Sequence, residues 1–365
     1  MNSTSKIRVG VLFGGKSAEH EISLLSAHNI IDAICRDRFD VVLIGVDKQG
    51  VWHLSESSHF LLDSHKPHLV RLDETGQCLS VAPGRSERAL ILSSGALESL
   101  DVIFPVLHGP MGEDGTVQGL LKLAGIPFVG SDVLGSAIGM DKDVMKRLLR
   151  DAGLPVLPWL TLHRREGFDW ESKKILEQLG TKVFVKPANM GSSVGINSAS
   201  RVEDLDKAIK EAFLFDHKVI IERGEKVREI EVAVLDGAPP QASVPGEILP
   251  RGEFYSYSAK YVEEDGAELI IPAPLKKKQV AEVQDLALKT FATLDTAGLG
   301  RVDFFLTDDG QFWINEMNTM PGFTQMSMYP SLWQASGLGY SDLIEKLIRL
   351  AIQRGQQDKH LRSDY

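Results

Sequence analysis

Three short apolar runs, each closed by a turn or a helix signal, constrain the N-terminal part of this 365-residue chain. Ile7 to Phe13 leads into Gly14-Gly15 and a helical segment near Glu21 to Ile34. Val41 to Val46 is the second run. Asp101 to Leu107 is the third; it ends in the loop His108-Gly109-Pro110-Met111-Gly112, and a helix follows at about Thr116 to Ala124. Unbroken apolar runs suit strands buried on both faces, and their alternation with helices predicts a doubly wound α/β domain with a parallel sheet. Residues 53 to 95 are mixed and polar and read as a surface excursion. Asp141 is placed to cap a helix that ends before Gly153, and Pro155 and Pro158 mark a boundary.

The second half has a different texture, of α+β type. Val183 to Val185 reads as a strand, followed by a glycine-serine loop and a short strand at Gly195 to Asn197. Leu205, Ala208, Ile209, Ala212 and Phe213 follow helical spacing, and Val280 to Leu294 is an amphipathic helix. Lys218 to Glu222 and Glu229 to Leu235 read as antiparallel strands, and Gly300 to Leu306 pairs with Gln311 to Asn318 about Asp309-Gly310. The organisation predicted is three parts: residues 1–140, 141–222 and 223–365.

Composition removes several functional classes. A formal net charge of −10 argues against a nucleic-acid-binding role, so any anionic ligand must be held by local lysines and arginines. The two cysteines, Cys35 and Cys78, lie far apart and suit a reducing compartment. Without a signal peptide or a run of about 20 apolar residues, the chain is expected to be cytoplasmic and free of membrane.

The second hairpin carries a metal argument. With Asp309 and Gly310 as turn residues, Asp303 falls opposite Glu316 and Arg301 opposite Asn318, all on one face. On this count Phe305, Phe312 and Ile314 share that face nearer the turn. Directly opposed carboxylates repel, and a hard cation relieves the repulsion; magnesium takes one or two carboxylates and completes its shell with phosphate oxygens. The competing reading is a polar sheet end in which Arg301 pairs with the acids.

Two glycine loops compete for a phosphate. Gly10 to Ser17 matches the P-loop pattern by letter, with Lys16 as its lysine, which would make a kinase or NTPase. Gly10, however, lies inside an apolar run, whereas a P-loop begins after its strand. Asn189 to Gly195 joins two strands and follows Lys186, so it suits a flap over phosphates, and its small residues let backbone N–H groups approach an anion. An ordinary hairpin loop is the competing account of it. On the residues alone, the plainer readings are preferred: Glu19 as a charge at a helix N-terminus, His108 as a satisfied loop histidine and Tyr261 as simple packing.

Taken together, the segments resemble the ATP-grasp superfamily and, within it, the D-alanine–D-alanine ligases. The resemblance runs from Val9 to about Leu350. It rests on Leu12 to Glu21, Leu107 to Gly115, Met140-Asp141-Lys142, Val185-Lys186-Pro187 with Gly191 to Gly195, Ala259-Lys260-Tyr261, Gly300 to Asp303 and Asn315 to Gly322. What it implies is an ATP-grasp module in two parts after the N-terminal domain, and a homodimer. The activity implied joins two D-alanines through a D-alanyl phosphate, releasing ADP and phosphate, in peptidoglycan precursor synthesis.

The resemblance also implies roles. Lys142 and Lys186 hold ATP phosphates beneath Gly191, Ser192 and Ser193; Glu222 accepts from the adenine amine, and Glu229 holds the ribose. Asp303, Glu316 and Asn318 bind two Mg2+ or Mn2+ ions. Arg301 and the Gly322 N–H stabilise the developing charges. Glu19, supported by His108, takes the first D-alanine's ammonium, and Ser192 and Tyr261 close over it. Lys260 and Ser327 hold the second D-alanine's carboxylate, Lys260 also reaches the γ-phosphate, and Met328 lines the methyl pocket. Gly246 to Tyr261 suits a lid that excludes water from a hydrolysable acyl phosphate. A ligase using D-lactate as acceptor is the nearest rival, and Lys260-Tyr261 resembles the dipeptide-forming pattern.

Overall fold

The computed structural model describes residues 6–55, 61–62, 71–72, 76–84, 89–92, 94–97, 99–165, 169–250 and 267–362. At its N-terminal end β1 (Ile7–Gly14) pairs in parallel with β2 (Phe39–Val46) on one side and with β9 (Val102–Val106) on the other. All five residues of β9 are buried, as expected of a central strand covered on both faces. Helix α1 (His20–Ala33) covers one face through Leu24, Ala27, Ile30 and Ile31.

The doubly wound parallel sheet is only partly realised. The described residues within 53–95 do not form a surface excursion. They contain β3 (Trp52–Ser55), β4 (Leu61–Leu62), β5 (Arg71–Leu72), β6 (Gln77–Val81) and β7 (Leu90–Leu92), and β8 (Gly95–Ala96) follows. All but the β4–β5 pair extend the sheet antiparallel from β2, giving the order β8-β7-β6-β3-β2-β1-β9. An antiparallel flank can face water on one side, so β6 buries Leu79 between exposed Cys78 and Ser80 and carries no unbroken apolar signal. Helices α2 (Thr116–Ala124), α3 (Val133–Met140) and α4 (Lys142–Asp151) follow, and the Asp141 carboxylate caps α4 by accepting from the N–H groups of Asp143 and Val144.

The middle of the chain is a four-stranded antiparallel sheet in the order β10 (Trp159–His163), β13 (Lys218–Arg223), β11 (Val183–Pro187), β12 (Asn197–Ala199). Strand β12 begins two residues later than expected. Helices α5 (Ser172–Leu179) and α6 (Val202–Ala212) close a separate core on one face, around Val183, Val185, Leu205, Ile209, Val219 and Ile221. The opposite face carries Lys186 and Glu222.

The C-terminal sheet runs β17 (Ala267–Ile270), β16 (Gly246–Pro250), β14 (Val227–Leu235), β18 (Leu299–Thr307), β19 (Phe312–Asn318), with β15 (Gln241–Ala242) beside β14. Ile230, Val232 and Val234 of β14 pack against α7 (Lys277–Thr293), and Met145 and Leu149 of α4 join the same core. Ala233 and Leu235 point the other way, into a core shared with β1, α1, α8 (Met328–Ala335) and α9 (Tyr340–Asp358). The N-terminal and C-terminal parts are thus joined by continuous apolar packing.

The β18–β19 register differs from the simple count. Thr307 and Gln311 close a three-residue loop, Asp308-Asp309-Gly310, with Gly310 at φ 86°. Leu306 then faces Phe312 and Phe304 faces Ile314, one residue out of the expected register. A bulge between Phe304 and Asp303 takes up Asn315, after which Asp303 pairs with Glu316 and Arg301 with Asn318. Phe312 and Ile314 accordingly lie on the core face and not, as expected, beside the acids.

Candidate active site

The cleft-facing end of the C-terminal sheet is built from charged residues on alternate positions of three adjacent strands. On β14, Glu229 and Glu231 share one face, and Glu231 stands directly opposite Asp303. Arg301 grips Asp303 with two hydrogen bonds of 2.7 Å and also lies 2.8 Å from Glu231. Burial alone would lower the pKa of Arg301, but the Asp303 and Glu231 carboxylates outweigh it and hold the guanidinium firmly charged. The Asn318 amide donates to Asp303 at 2.9 Å.

Three lysines face this acidic strip. Lys142, at the first turn of α4, lies 3.3 Å from Glu316 and donates to the Met190 carbonyl at 2.9 Å. Lys186 donates to Glu222 at 2.6 Å and to Asn315 at 3.2 Å, with its ammonium 5.7 Å from the Phe305 ring centre. Lys146, one turn beyond Lys142, pairs with the other Glu222 oxygen. Glu222 is therefore not a free acceptor: both its oxygens face ammonium groups. Burial would raise its pKa, and the two lysines lower it below the ordinary carboxylate value.

The opposite wall comes from the N-terminal part. Glu19 immediately precedes α1, is buried, and accepts a hydrogen bond from the Ser192 hydroxyl. Ser192 and Ser193 hold φ of 48° and 60°, a left-handed bend that turns the loop toward Glu19. Gly109, at φ 73°, lies so close that a Cβ there would meet the Glu19 carboxylate at 2.9 Å. His108 donates through Nδ1 to the Met320 carbonyl at 3.0 Å, which leaves Nε2 buried without a hydrogen-bond partner among the described residues. Burial lowers the pKa of His108, so the ring is neutral and Nε2 carries a lone pair. Glu113 accepts from the Gly109 N–H at 2.7 Å, and burial together with the Glu19 charge pushes its carboxyl up to about 8.

One cleft brings together Glu19, His108, Lys142, Gly191, Ser192, Arg301, Glu316, Asn318 and Gly322. Ser327 immediately precedes α8 and hydrogen-bonds Thr324 through its hydroxyl, while Met328 is buried in the shared apolar core against Gly246. Lys260 and Tyr261 lie outside the described residues, as does the expected lid beyond Pro250. Four residues given no role from the sequence belong to this region: Glu113, Lys146, Glu231 and Asn315. Helical spacing from Lys142 could have pointed to Lys146, and strand pairing with Asp303 to Glu231. Asn315 could not be placed without the bulge.

The family model described as the D-ala D-ala ligase N-terminus matches residues 8–131, and that of the C-terminus matches residues 148–349. The chain belongs to the D-alanine–D-alanine ligase family. A D-alanine–D-alanine ligase of Shouchella clausii is 54% identical over 363 residues, covering 98% of each chain. D-alanine–D-alanine ligase A of Escherichia coli K12 is 51% identical, covering 98% of this chain and 99% of its own. Among solved structures, the D-alanine–D-alanine ligase of Coxiella burnetii superposes with a TM-score of 0.84 at 35% identity, covering 97% of this chain and 96% of its own. The D-Ala:D-Ser ligase VanG of Enterococcus faecalis gives 0.83 at 34%, covering 95% and 100%.

Membership of this ligase family implies ATP as a substrate and disposes of the P-loop alternative, on which the geometry agrees. Gly10 lies within β1, where a Cβ would meet Leu100 at 2.6 Å, so it is a packing glycine. The Lys16 stem packs toward Gly50.

Proposed function

We propose that this chain is an ATP-dependent ligase that joins two D-alanines for cell-wall precursor synthesis. The observation that supports it most is the juxtaposition, in one cleft, of an ammonium acceptor and an acid–arginine strip. Glu19, held by Ser192, stands on one wall; Arg301, Asp303, Glu316 and Asn318 stand on the other.

Each group has a task on this reading. The first D-alanine's ammonium docks on Glu19, near the lone pair of His108, and its carboxylate lies toward Arg301 and the Gly322 N–H. A carboxylate oxygen attacks the γ-phosphorus of ATP, the bond to the β-phosphate oxygen breaks, and ADP leaves. The amine of the second D-alanine, once deprotonated, attacks the acyl carbon, and phosphate leaves. Arg301 and Lys142 carry positive charge to the sites where negative charge develops, which is the main contribution a protein makes to phosphoryl transfer. Lys186 and Lys142 reach the phosphates beneath Gly191 to Ser193, with the nucleotide clamped between the four-stranded and six-stranded sheets in the ATP-grasp manner. Glu229 holds the ribose, and Glu222 accepts from the adenine amine through the oxygen that Lys186 leaves when it turns to the phosphates.

Asp303, Glu316 and Asn318 fit magnesium or manganese. Among the described residues no three His, Cys, Asp or Glu side chains are arranged to hold a metal ion by themselves, and two carboxylates with an amide suit an ion that takes its remaining ligands from phosphate and water. Such ions would neutralise the phosphate charge. We place the domains at 1–140, 141–222 and 223–365, and the protein as a cytoplasmic homodimer. Among the described residues no helix is long and apolar enough to cross a membrane.

The test is ADP release with ATP and magnesium across D- and L-amino acids, with dipeptide read by mass. D-alanine alone should drive turnover and yield the dipeptide. Turnover indifferent to D-alanine defeats the proposal. Offering D-lactate or D-serine beside D-alanine fixes the acceptor.

A further inference from the structure

Two ammonium groups share one carboxylate between α4 and the four-stranded sheet, and none of the three is in water. Lys146 and Glu222 are each 1% exposed and Lys186 is 7% exposed. Lys146 takes one oxygen of Glu222 and Lys186 the other, at 2.6 Å. The environments of the two lysines differ. Lys146 points up from within α4 beside the Trp159 ring, 5.8 Å from its centre, and is sealed. Lys186, on β11, is slightly more open and donates a second hydrogen bond, to the Asn315 side-chain carbonyl oxygen at 3.2 Å.

Two cations buried against one carboxylate are balanced by it only in part, with Glu316 acting on Lys146 from the acidic strip, and an anion at Lys186 would complete the balance. The only one of the three groups that can turn toward such an anion is Lys186. When it does, it abandons its oxygen of Glu222. Without a second cation, that movement would strand a buried carboxylate.

We propose that Lys146 is a positioning residue for nucleotide binding: it stays on Glu222 as a resident counter-charge, so that Lys186 can pass from Glu222 to a nucleotide phosphate. This rests on the ATP reading above and extends it. Because Lys146 and Lys142 sit one turn apart on α4, the same helix presents one lysine to the acid strip and anchors the other behind the nucleotide. Burial and the neighbouring Lys186 lower the pKa of Lys146, and Glu222, with a further contribution from Glu316, raises it, which accords with a cation held chiefly by Glu222.

The experiment is direct equilibrium binding of ATP with magnesium and without D-alanine, on wild type, Lys146→Met and Lys146→Met/Glu222→Gln. Steady-state KM values for ATP and D-alanine and an unfolding midpoint accompany it. Lys146→Met should weaken ATP by roughly tenfold or more while KM for D-alanine stays unchanged. The double variant should recover most of the loss, since a neutral amide can be left behind. ATP affinity unchanged in Lys146→Met overturns the proposal, as does a double variant no better than the single. A lowered midpoint with ATP and D-alanine weakened alike also overturns it, because that is a purely structural role. Should Lys146→Met not fold, the double variant is compared with Glu222→Gln alone, because Glu222 also meets the adenine amine: equal ATP affinity in the two supports the exchange, and a tenfold lower affinity in the double variant refutes it. Wild type that binds ATP but forms no dipeptide would defeat the proposed function and leave this inference standing.

Discussion

Replacing Glu113 by glutamine tests the electrostatics behind the first-substrate wall. Burial and the neighbouring Glu19 raise the Glu113 carboxyl from 4.5 to about 8. In the unfolded chain the group loses its proton near pH 4.5, whereas the folded protein keeps it. Folding therefore binds a proton between these two values, and stability falls as pH rises from 4.5 to 8, then levels off. At about 1.4 kcal/mol per pH unit, the cost reaches about 4 kcal/mol at pH 8, where half the native carboxyls are ionised. The side chain keeps 15% of its surface in water, which screens part of this and leaves about 2–4 kcal/mol. Glutamine is neutral throughout and retains an oxygen for the Gly109 N–H. The advantage of Glu113→Gln over wild type should thus be below about 1 kcal/mol at pH 5 and grow to about 2–4 kcal/mol at pH 8. With an unfolding entropy of about 0.8 kcal/mol/K for a chain of this size, that is a gain of roughly 3–5 °C in Tm at pH 8. Thermal unfolding of both proteins at pH 5, 6, 7 and 8 measures it. His108, whose pKa burial depresses, makes both proteins less stable as pH falls below 6.5, and this contribution largely cancels in the difference. A difference that stays flat across the series refutes the assignment of a protonated Glu113.

Three further outcomes follow from the site. Glu316→Gln should cut D-alanine-dependent ADP release by about 100-fold and raise the magnesium needed for half-maximal activity, and chelation of the metal should abolish turnover reversibly; unchanged magnesium dependence would remove Glu316 from the metal site. Ser192→Ala deletes the hydroxyl that donates to Glu19, a charge-assisted bond, and should raise KM for the first D-alanine by about tenfold, as read from the D-alanine concentration dependence at saturating ATP. Lys16→Ala should leave KM for ATP within about twofold, since its stem packs toward Gly50; a collapse of ATP use in that variant would restore the P-loop model.

What was legible in the chain depended on how each element is buried. Strands sealed on both faces, such as β9, announce themselves as apolar runs, and the Asp141 cap of α4 is a local signal that needs no tertiary context. The antiparallel flank from β3 to β8 was missed because its strands are only two to five residues long, too short for an apolar run or an alternation to stand out. Buried charges were the hardest. Lys146 and Glu231 acquire meaning only when α4 meets the middle sheet and β14 lies beside β18, a long-range pairing that no local pattern encodes.

The acid pair shows how a correct placement can rest on two compensating departures. Counting from a two-residue turn put Asp303 opposite Glu316, but the loop has three residues, which alone would have shifted every pair by one; the bulge at Asn315 shifts them back. The bulge is a physical necessity, and the residues show why. On β18 the parity is unbroken: Val302, Phe304 and Leu306 enter the core while Arg301 and Asp303 face the cleft. On β19, Phe312 and Ile314 are core residues, yet Glu316 and Asn318, of the same parity, must face the cleft. A strand with strict alternation cannot satisfy both, so one residue has to be taken out of the ladder between Ile314 and Glu316. The residue taken out is Asn315, and the kink sets its amide against Lys186. The conflict between apolar and charged residues of equal parity was present in the sequence, and it is the signal from which the bulge could have been derived; the contact between Asn315 and Lys186 needed the approach of the middle sheet as well.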